Sequence, residues 1–255
     1  MPESDSKKPV QGTNDSLQQT AQKETAAPFL RRYRSALFKS ALVFAVMAFA
    51  LLTFVVKTTP SLSIDLQITH AVQSIDSSFF AASMELISWP GFFPQSLIIT
   101  LIIAFGFYMY GLYWESITCL LAAFLSGVTN QLVKNIIQRP RPALDIVDVF
   151  AVLDSYSFPS AHVMFYSILF GFVGYVVYTL FQPSLLRSVL LSLCSTLILF
   201  VGLSRIHLGQ HWASDVLGAY LLGGLILAGV ILLYQWGKTR FFLHQPVAPP
   251  PSNEK

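Results

Sequence analysis

The chain has 255 residues, of which 54% are hydrophobic and only 11% are charged, and its formal net charge is +3. A soluble globular domain has about a quarter charged residues, so this composition argues against a soluble domain and favours an integral membrane protein. The small net charge gives no reason to expect a nucleic acid as partner. The two cysteines, Cys119 and Cys194, lie in apolar runs and are expected to be buried hydrophobic residues.

Both ends of the chain are polar. Residues 1–28 are rich in Ser, Thr, Gln and Lys, and residues 245–255 contain four prolines. Such segments cannot bury enough apolar surface to fold alone, so residues 1–28 and 241–255 are predicted to be disordered tails. No apolar core follows the start closely enough for a cleaved signal peptide. The remaining residues, 29–240, are predicted to form one membrane domain.

Six apolar segments are long enough to cross a bilayer as helices, which takes about 20 residues each. They are residues 37–56, 96–114, 116–133, 161–181, 185–203 and 215–236. Backbone groups in lipid must be satisfied within the chain, and strand-like alternation is absent. The predicted fold class is therefore all-α, an integral membrane bundle of six helices.

A longer loop, residues 57–95, separates the first two predicted spans. Ile64, Ile68 and Val72 recur in it at helical spacing, which predicts short amphipathic helices on the membrane interface or over the bundle. Trp89-Pro90-Gly91 then breaks the pattern. The loop is either a packed connection or a lip through which a lipid enters.

Basic residues suggest an orientation. Lys and Arg are concentrated before the first span and directly after the sixth, which favours two cytoplasmic termini under the positive-inside rule. The connections after the first, third and fifth spans would then face outward. Short loops and a compact form suggest a bacterial inner membrane. The cations in the outward connections, Lys134, Arg139, Arg141 and Arg205, oppose this rule and therefore need a function.

Three polar segments adjoin ends of the predicted helices: residues 134–142, 159–162 and 204–215. Antiparallel connection places them on the same outer side, where Lys134, Arg141 and Arg205 converge. Three fixed cations in one place are unfavourable unless an anion neutralises them, and Arg suits bidentate contact with phosphate.

The start of the fourth span completes this anion site. The N–H groups around Ser160, Ala161 and His162 lie at a helix N-terminus, where the backbone and the helix dipole favour an anion. The three segments together therefore predict a phosphate-binding cradle.

Two histidines and one carboxylate supply a reaction. Asp215 lies four residues after His211, so its carboxylate can hold one ring nitrogen and leave the other nucleophilic. His162 can then donate a proton to a leaving oxygen. The set predicts phosphoryl transfer in two steps through a phosphohistidine. No metal or other cofactor is expected, because Lys and Arg supply the positive charge.

These segments resemble the three signature motifs of the type 2 phosphatidic acid phosphatase superfamily, the lipid phosphate phosphatases. Lys134 to Arg141-Pro142 matches the first motif, and Ser204-Arg205 to His211 and Asp215 matches the third. Pro159-Ser160-Ala161-His162 matches the second, except that Ala161 stands where glycine is usual. Added methyl bulk at Ala161 matters only if the residue needs positive φ or a very close phosphate.

The resemblance implies a role for each matching residue. It implies that Lys134, Arg141, Ser160, Ala161 and Arg205 bind phosphate. It also implies that His211 is the nucleophile, Asp215 its partner and His162 the general acid. Two residues lie outside the matched positions: Arg139 is expected to have a structural or headgroup-steering role, and His207 is expected to have a role in packing.

The expected activity is hydrolysis of a lipid phosphate monoester or diphosphate at the outer membrane face. Phosphatidate, phosphatidylglycerol phosphate and polyprenyl diphosphate are the candidate substrates. A lipid phosphotransferase, a vanadate haloperoxidase and a non-catalytic lipid-phosphate binder or transporter are the alternatives. Long apolar helices argue against the haloperoxidase, and the complete set of His162, His211 and Asp215 argues against simple binding.

Overall fold

The structure, a computed structural model, describes residues 34–59 and 61–242. Eight α-helices follow one another in this part of the chain: α1 Arg34–Thr58, α2 Ser63–Gln73, α3 Ser78–Ser88, α4 Gln95–Met109, α5 Tyr113–Ile137, α6 Ala161–Leu180, α7 Leu185–His207 and α8 Ala213–Gly237. A 3₁₀ turn, Trp89–Gly91, follows α3, and a π-helical turn, Lys238–Phe242, follows α8. Because no strand occurs in the described ranges, the predicted all-α class is confirmed.

Five of these helical segments, within the described residues, are long and apolar enough to cross a membrane. They are Ser35–Thr58, Tyr113–Ile137, Ala161–Leu180, Leu185–His207 and Ala213–Phe241. A sixth crossing exists if Ser78–Gly91 and Gln95–Met109, which meet at a bend of 65°, count as one span. The six-span prediction fits the structure in this sense.

The second predicted span, residues 96–114, differs most from the structure. Helix α4 has 15 residues, or ~22 Å of rise, against a hydrocarbon core of ~30 Å. It stops at Met109 because the chain turns at Gly111, whose φ is +75°, a conformation that glycine adopts readily. Helix α5 therefore begins at Tyr113, three residues earlier than predicted.

Helix α6 lies at the centre of the bundle, and more of it is buried than of any other described span. It packs against α5, α7 and α8. Its aromatic and aliphatic side chains, among them Tyr166, Phe172 and Leu169, are fully buried. Helices α1 and α4 instead expose large apolar side chains along their length, which is the surface that a helix presents to lipid.

Four helix ends meet at one end of the bundle. The Asn130 amide of α5 donates to the Pro159 carbonyl over 3.0 Å, and the Ser160 N–H donates to the Asp215 carbonyl over 3.3 Å. Helix α5 ends there because Gln138 adopts a left-handed conformation, φ +57°, and two prolines follow that cannot donate backbone hydrogen bonds. The chain then crosses this end of the bundle before α6 begins.

The predicted short helices of the first loop are α2 and α3. Both lie against the same end of the bundle, because the Ser214 N–H donates to Asp65 of α2 over 2.8 Å and the Ser204 hydroxyl donates to the Met84 carbonyl of α3 over 2.5 Å. The first loop is thus packed onto the ends of α7 and α8. Its position relative to the membrane interface stays a prediction.

Internal contacts divide the chain into two units, residues 1–44 and 45–255. The described part of the first is the N-terminal portion of α1. The predicted tails fall on residues 1–28 and 241–255. Residues 1–28 and 243–255 lie outside the described residues, while Phe241 and Phe242 continue α8 through the π-helical turn.

Candidate active site

The end of the bundle where α5, α6, α7 and α8 meet holds all eight residues of the predicted site. Lys134 and Arg205 lie in the last turns of α5 and α7. Ser160 is the N-cap of α6, and Asp215 lies in the first turn of α8. The remaining four stand beside them in sequence: Ala161 and His162 open α6, and Arg141 and His211 belong to the connecting segments. The positive charges of Arg205, Arg141 and Lys134 act on both histidines.

His211 lies between the carboxylate of Asp215 and the guanidinium of Arg141. Its Nδ1 is 3.5 Å from Asp215 Oδ2, and its Nε2 is 3.3 Å from Arg141 Nη1. Burial, together with the positive charges of Arg141, Arg205 and Lys134, lowers the pKa of His211 well below its usual value near 6.5. The imidazole is therefore neutral at neutral pH. With its hydrogen on Nδ1, facing the carboxylate, Nε2 carries a lone pair.

Three consecutive residues, Ser155, Tyr156 and Ser157, hold the cations and the carboxylate in place. We call them the 155–157 strap. The Ser155 carbonyl accepts from Arg141 Nε over 2.7 Å, and the Tyr156 carbonyl accepts from Lys134 Nζ over 2.5 Å. The Ser157 hydroxyl donates to Asp215 Oδ2 and lies 3.5 Å from His211 Nδ1. One short segment thus aligns both sides of His211.

Several buried polar atoms at this site have no hydrogen-bond partner in the described part of the chain. They are Ser160 Oγ, His162 Nε2 and two guanidinium nitrogens of Arg205, Nε and Nη2. Arg205 does use Nη1, which donates to Ser88 Oγ. Because buried polar groups normally have partners, and because most of these atoms can donate, the set fits an anion with several acceptor oxygens.

The wall beside His162 comes from the turn that follows α3. The ring of Phe92 meets the His162 ring edge to face at 4.6 Å, and the Arg205 guanidinium lies 5.3 Å from the same phenyl ring. Gly91 comes so close that a Cβ there would lie 2.3 Å from His162 Cδ2. The sequence showed Trp89-Pro90-Gly91 only as a break, so this contact was missed.

Ala161, the departure from the usual glycine, causes no backbone strain. It is the first residue of α6, and Gln138 is the only residue other than glycine with positive φ among those described. The Ala161 side chain is exposed. Alanine therefore fits this helical position, and the N–H groups of the first turn of α6 remain available to a ligand.

An apolar groove of about 400 Å³ runs from Ala161 between α4, α5 and α6. It is lined by Gly91, Phe93, Leu97, Thr100, Leu120, Phe124, Asn130, Ala161, Phe165 and a few small residues. A chain of methylene groups fits such a lining, and the polar site lies at the end of the groove.

Residues outside the predicted set also build the site. Ser157, Asp65 and Ser88 reach it from segments that sequence spacing does not connect to the motifs. Arg139 is fully buried and pairs with Asp65 and Asp215, so its predicted structural role fits the structure better than contact with a lipid headgroup.

His207 packs its ring against Phe80 at 4.9 Å. Within the described ranges, no group of three or more His, Cys, Asp or Glu residues could hold a metal ion.

Comparisons with known proteins find relatives of one family. The family model of the PAP2 superfamily matches residues 115–240. Phosphatidylglycerophosphatase B of Bacillus subtilis (strain 168) is 30% identical over 173 residues, which cover 62% of this chain and 82% of that protein. Residues 115–240, which the family model matches, include every residue of the predicted site.

Solved structures share the fold. The crystal structure of a transmembrane PAP2-type phosphatidylglycerolphosphate phosphatase from Bacillus subtilis matches with a TM-score of 0.69 and 27% identity, over 78% of this chain and 98% of that one. The structure of Aquifex aeolicus LpxE matches with a TM-score of 0.52 and 18% identity, over 68% of this chain and 98% of that one, which shows the fold alone. The chain belongs to the PAP2 superfamily, and it is a membrane phosphatase of the lipid phosphate phosphatase type.

Proposed function

We propose that this protein hydrolyses a lipid phosphate monoester or diphosphate through a phosphohistidine at His211. The observation that carries the proposal is the position of His211. The His211 ring is buried between Asp215 and Arg141, and the partnerless buried atoms of Arg205, Ser160 and His162 belong to the same site. A neutral imidazole beside an anion cradle is the arrangement that nucleophilic phosphoryl transfer requires.

The reaction has two steps. In the first, His211 Nε2 attacks phosphorus and the bond between phosphorus and the leaving oxygen breaks, while His162 gives that oxygen a proton. In the second, His162 takes a proton from water, the water oxygen attacks phosphorus, the bond between phosphorus and His211 Nε2 breaks, and inorganic phosphate leaves. Lys134, Arg141 and Arg205 neutralise charge on the three transferring oxygens throughout.

A lipid substrate is supported by the setting of the site. The apolar groove between α4, α5 and α6 ends at Ala161, next to the cradle, so an acyl or prenyl chain in the groove leaves its phosphate beside His211. The relatives carry the name of an activity on phosphatidylglycerol phosphate, which makes this lipid the first substrate to try. Phosphatidate and polyprenyl diphosphate are the other candidates.

The proposed location is the inner membrane of a bacterium, with both termini in the cytoplasm and the site facing outward. The support is the charge pattern, because basic residues precede α1 and follow α8 and the positive-inside rule places such ends in the cytoplasm. The cations at the opposite end of the bundle belong to the cradle, which explains why they do not follow the rule.

A phosphate-release assay tests the proposal. Purified protein in detergent is given phosphatidylglycerol phosphate, phosphatidate and a polyprenyl diphosphate, and free phosphate is measured with and without a chelator. We expect release from at least one lipid, almost unchanged by chelator, and no turnover by His211→Ala. Retained turnover in that variant, or phosphate found on an alcohol acceptor instead of in water, would contradict the proposal.

A further inference from the structure

Both oxygens of the Asp215 carboxylate, which lies next to His211, accept hydrogen bonds. Its Oδ1 accepts from Arg139 Nη1 over 2.5 Å. Its Oδ2 accepts from the Ser157 hydroxyl and from the Trp212 N–H, the latter over 2.9 Å. Asp215 is completely buried, so these donors replace the water that would otherwise solvate its charge. Of these three donors, Arg139 alone brings a full positive charge.

Arg139 connects Asp215 to a second carboxylate, Asp65 of α2. Its Nη2 donates to Asp65 Oδ2 over 2.7 Å, while its Nη1 also donates to Ser214 Oγ over 2.7 Å. The side chains of Arg139 and Asp65 are 0% and 1% exposed. The guanidinium is a rigid planar fork, so a fixed Asp65 fixes the direction from which Arg139 meets Asp215.

Asp65 is itself anchored to the start of α8. Its Oδ1 accepts from the Ser214 N–H over 2.8 Å, and its Oδ2 accepts from the Ser214 hydroxyl over 2.6 Å. Ser214 precedes Asp215, so the same carboxylate that orients Arg139 also holds the backbone that carries Asp215. Asp65 is thus tied to Asp215 through both a side chain and the main chain.

We propose that Asp65 and Arg139 are positioning residues that turn the carboxylate of Asp215 toward His211 Nδ1. Arg139 holds Oδ1, which leaves Oδ2 as the oxygen on the side of His211, 3.5 Å from Nδ1. Without the contact from Arg139, the Asp215 carboxylate can rotate. The His211 ring then no longer keeps its hydrogen on Nδ1, and Nε2 no longer points toward phosphorus. The proposal rests on the proposed function, since it takes His211 as the nucleophile.

Two features separate this role from simple support of the fold. First, both terminal nitrogens of Arg139 donate to carboxylates, Nη1 to Asp215 and Nη2 to Asp65, so this guanidinium orients carboxylates and is not one of the cradle cations. Second, a buried group of two carboxylates and one guanidinium often stabilises a fold no better than apolar side chains of the same volume. A role in the reaction accounts for its cost.

The test compares Arg139→Gln, Arg139→Lys and Asp65→Asn with the unaltered protein. The measurements are kcat and KM on the lipid that releases phosphate, inhibition by inorganic phosphate, and the midpoint of thermal unfolding. We expect kcat to fall about 100-fold in Arg139→Gln and about tenfold in Asp65→Asn and Arg139→Lys, because a misplaced reacting group costs this much. KM and phosphate inhibition should change less than about threefold, because the cradle is intact.

A matched control comes from the other end of α5. Glu115 is fully buried and pairs with Lys238 over 2.6 Å, so Glu115→Gln also breaks an ion pair of a buried carboxylate. It should lower the unfolding midpoint and leave kcat unchanged. If Glu115→Gln lowers kcat as much as Asp65→Asn does, loss of any buried ion pair explains the effect and the proposal is overturned.

A double variant tests whether Asp65 acts through Arg139. If it does, kcat of Asp65→Asn combined with Arg139→Gln should equal that of Arg139→Gln alone, whereas multiplied losses would contradict it. Should Arg139→Gln fail to accumulate, Asp65→Asn and Arg139→Lys decide the matter by their kcat. Full kcat in these variants while His211→Ala is inactive overturns only the positioning role, and an active His211→Ala overturns the proposed function itself.

Discussion

At the scale of single residues, Gly91 leaves no room for a side chain beside the His162 ring. A methyl group at Gly91 would meet the His162 ring at 2.3 Å, so Gly91→Ala must displace either the turn or the ring. We expect kcat on the lipid substrate to fall about tenfold or more, because His162 would no longer aim at the leaving oxygen.

Gly106→Ala is the matched control for this change. Gly106 lies in α4, the helix that follows the Gly91 turn, and a Cβ there meets nothing within 4 Å. This variant should keep its kcat and should gain slightly in stability, since alanine favours a helix over glycine. Equal kcat in the two variants would show that the space beside His162 does not matter.

The lowered pKa of His211 predicts how stability depends on pH. Its pKa in the folded chain lies below its unfolded value near 6.5, so the unfolded chain binds more protons as the pH falls through about 6.5. The contribution of His211 to stability is therefore complete above this pH and is lost below it, by up to ~1.4 kcal/mol per pH unit.

Thermal unfolding in detergent between pH 5 and pH 8 measures this dependence. The midpoint should decline below about pH 6.5, and His211→Gln should flatten the decline. A decline of the same slope in His211→Gln would show that His211 is not the group that titrates.

At the scale of the element, the 155–157 strap links the two sides of the site. Ser157 donates to Asp215 Oδ2 and lies beside His211 Nδ1. Loss of a hydrogen bond to a buried carboxylate is worth about 1–3 kcal/mol, so Ser157→Ala should lower kcat about tenfold with little change in KM. Ser157→Thr, which keeps the hydroxyl, should retain most of the rate.

Another buried serine provides the control for this element. Ser116 of α5 donates to the Ala104 carbonyl over 2.7 Å, near the opposite end of that helix from Lys134. Ser116→Ala should change the unfolding midpoint and leave kcat as it was. A comparable loss of kcat in Ser116→Ala would assign the effect of Ser157→Ala to general loosening of the bundle.

Elements also show how much could be predicted from the sequence. Apolar runs fixed five of the spans closely, because helix length in a membrane is set by bilayer thickness. Motif spacing predicted that Lys134, Arg205 and Asp215 lie at one end of the bundle, and the structure places each within one turn of a helix end there. Asp65 and Ser157 could not be found in this way, since their contacts with Arg139 and Asp215 join segments that only the folded bundle brings together.

At the scale of the whole molecule, the structure separates two ends with different chemistry. The site occupies the end where α5 finishes and α6 begins, while Lys238 and Tyr234 contact the buried carboxylate of Glu115 at the other end. Asp145 is exposed in the segment between α5 and α6. If the site faces outward, Asp145→Cys should react with an impermeant maleimide on intact cells. Thr239→Cys should react only after the cells are opened.

The two native cysteines should add little background to this labelling experiment. Cys119 and Cys194 are free and buried, so the unaltered protein should show little labelling. Reaction of Thr239→Cys on intact cells together with protection of Asp145→Cys would reverse the proposed orientation. The position of the site relative to the helices would be unaffected by that result.

The strap holds Arg141 and Lys134 through backbone carbonyls of Ser155 and Tyr156. Every amino acid has a backbone carbonyl, so a substitution removes these oxygen atoms only if it changes the path of the chain. A survey of single substitutions at Tyr156 would therefore rate the position as tolerant, although it anchors a cation of the cradle. Insertion of one glycine after Ser155 would shift the register of these carbonyls, and such a length change, more than an exchange of the Tyr156 side chain, would reveal how they hold Lys134 and Arg141.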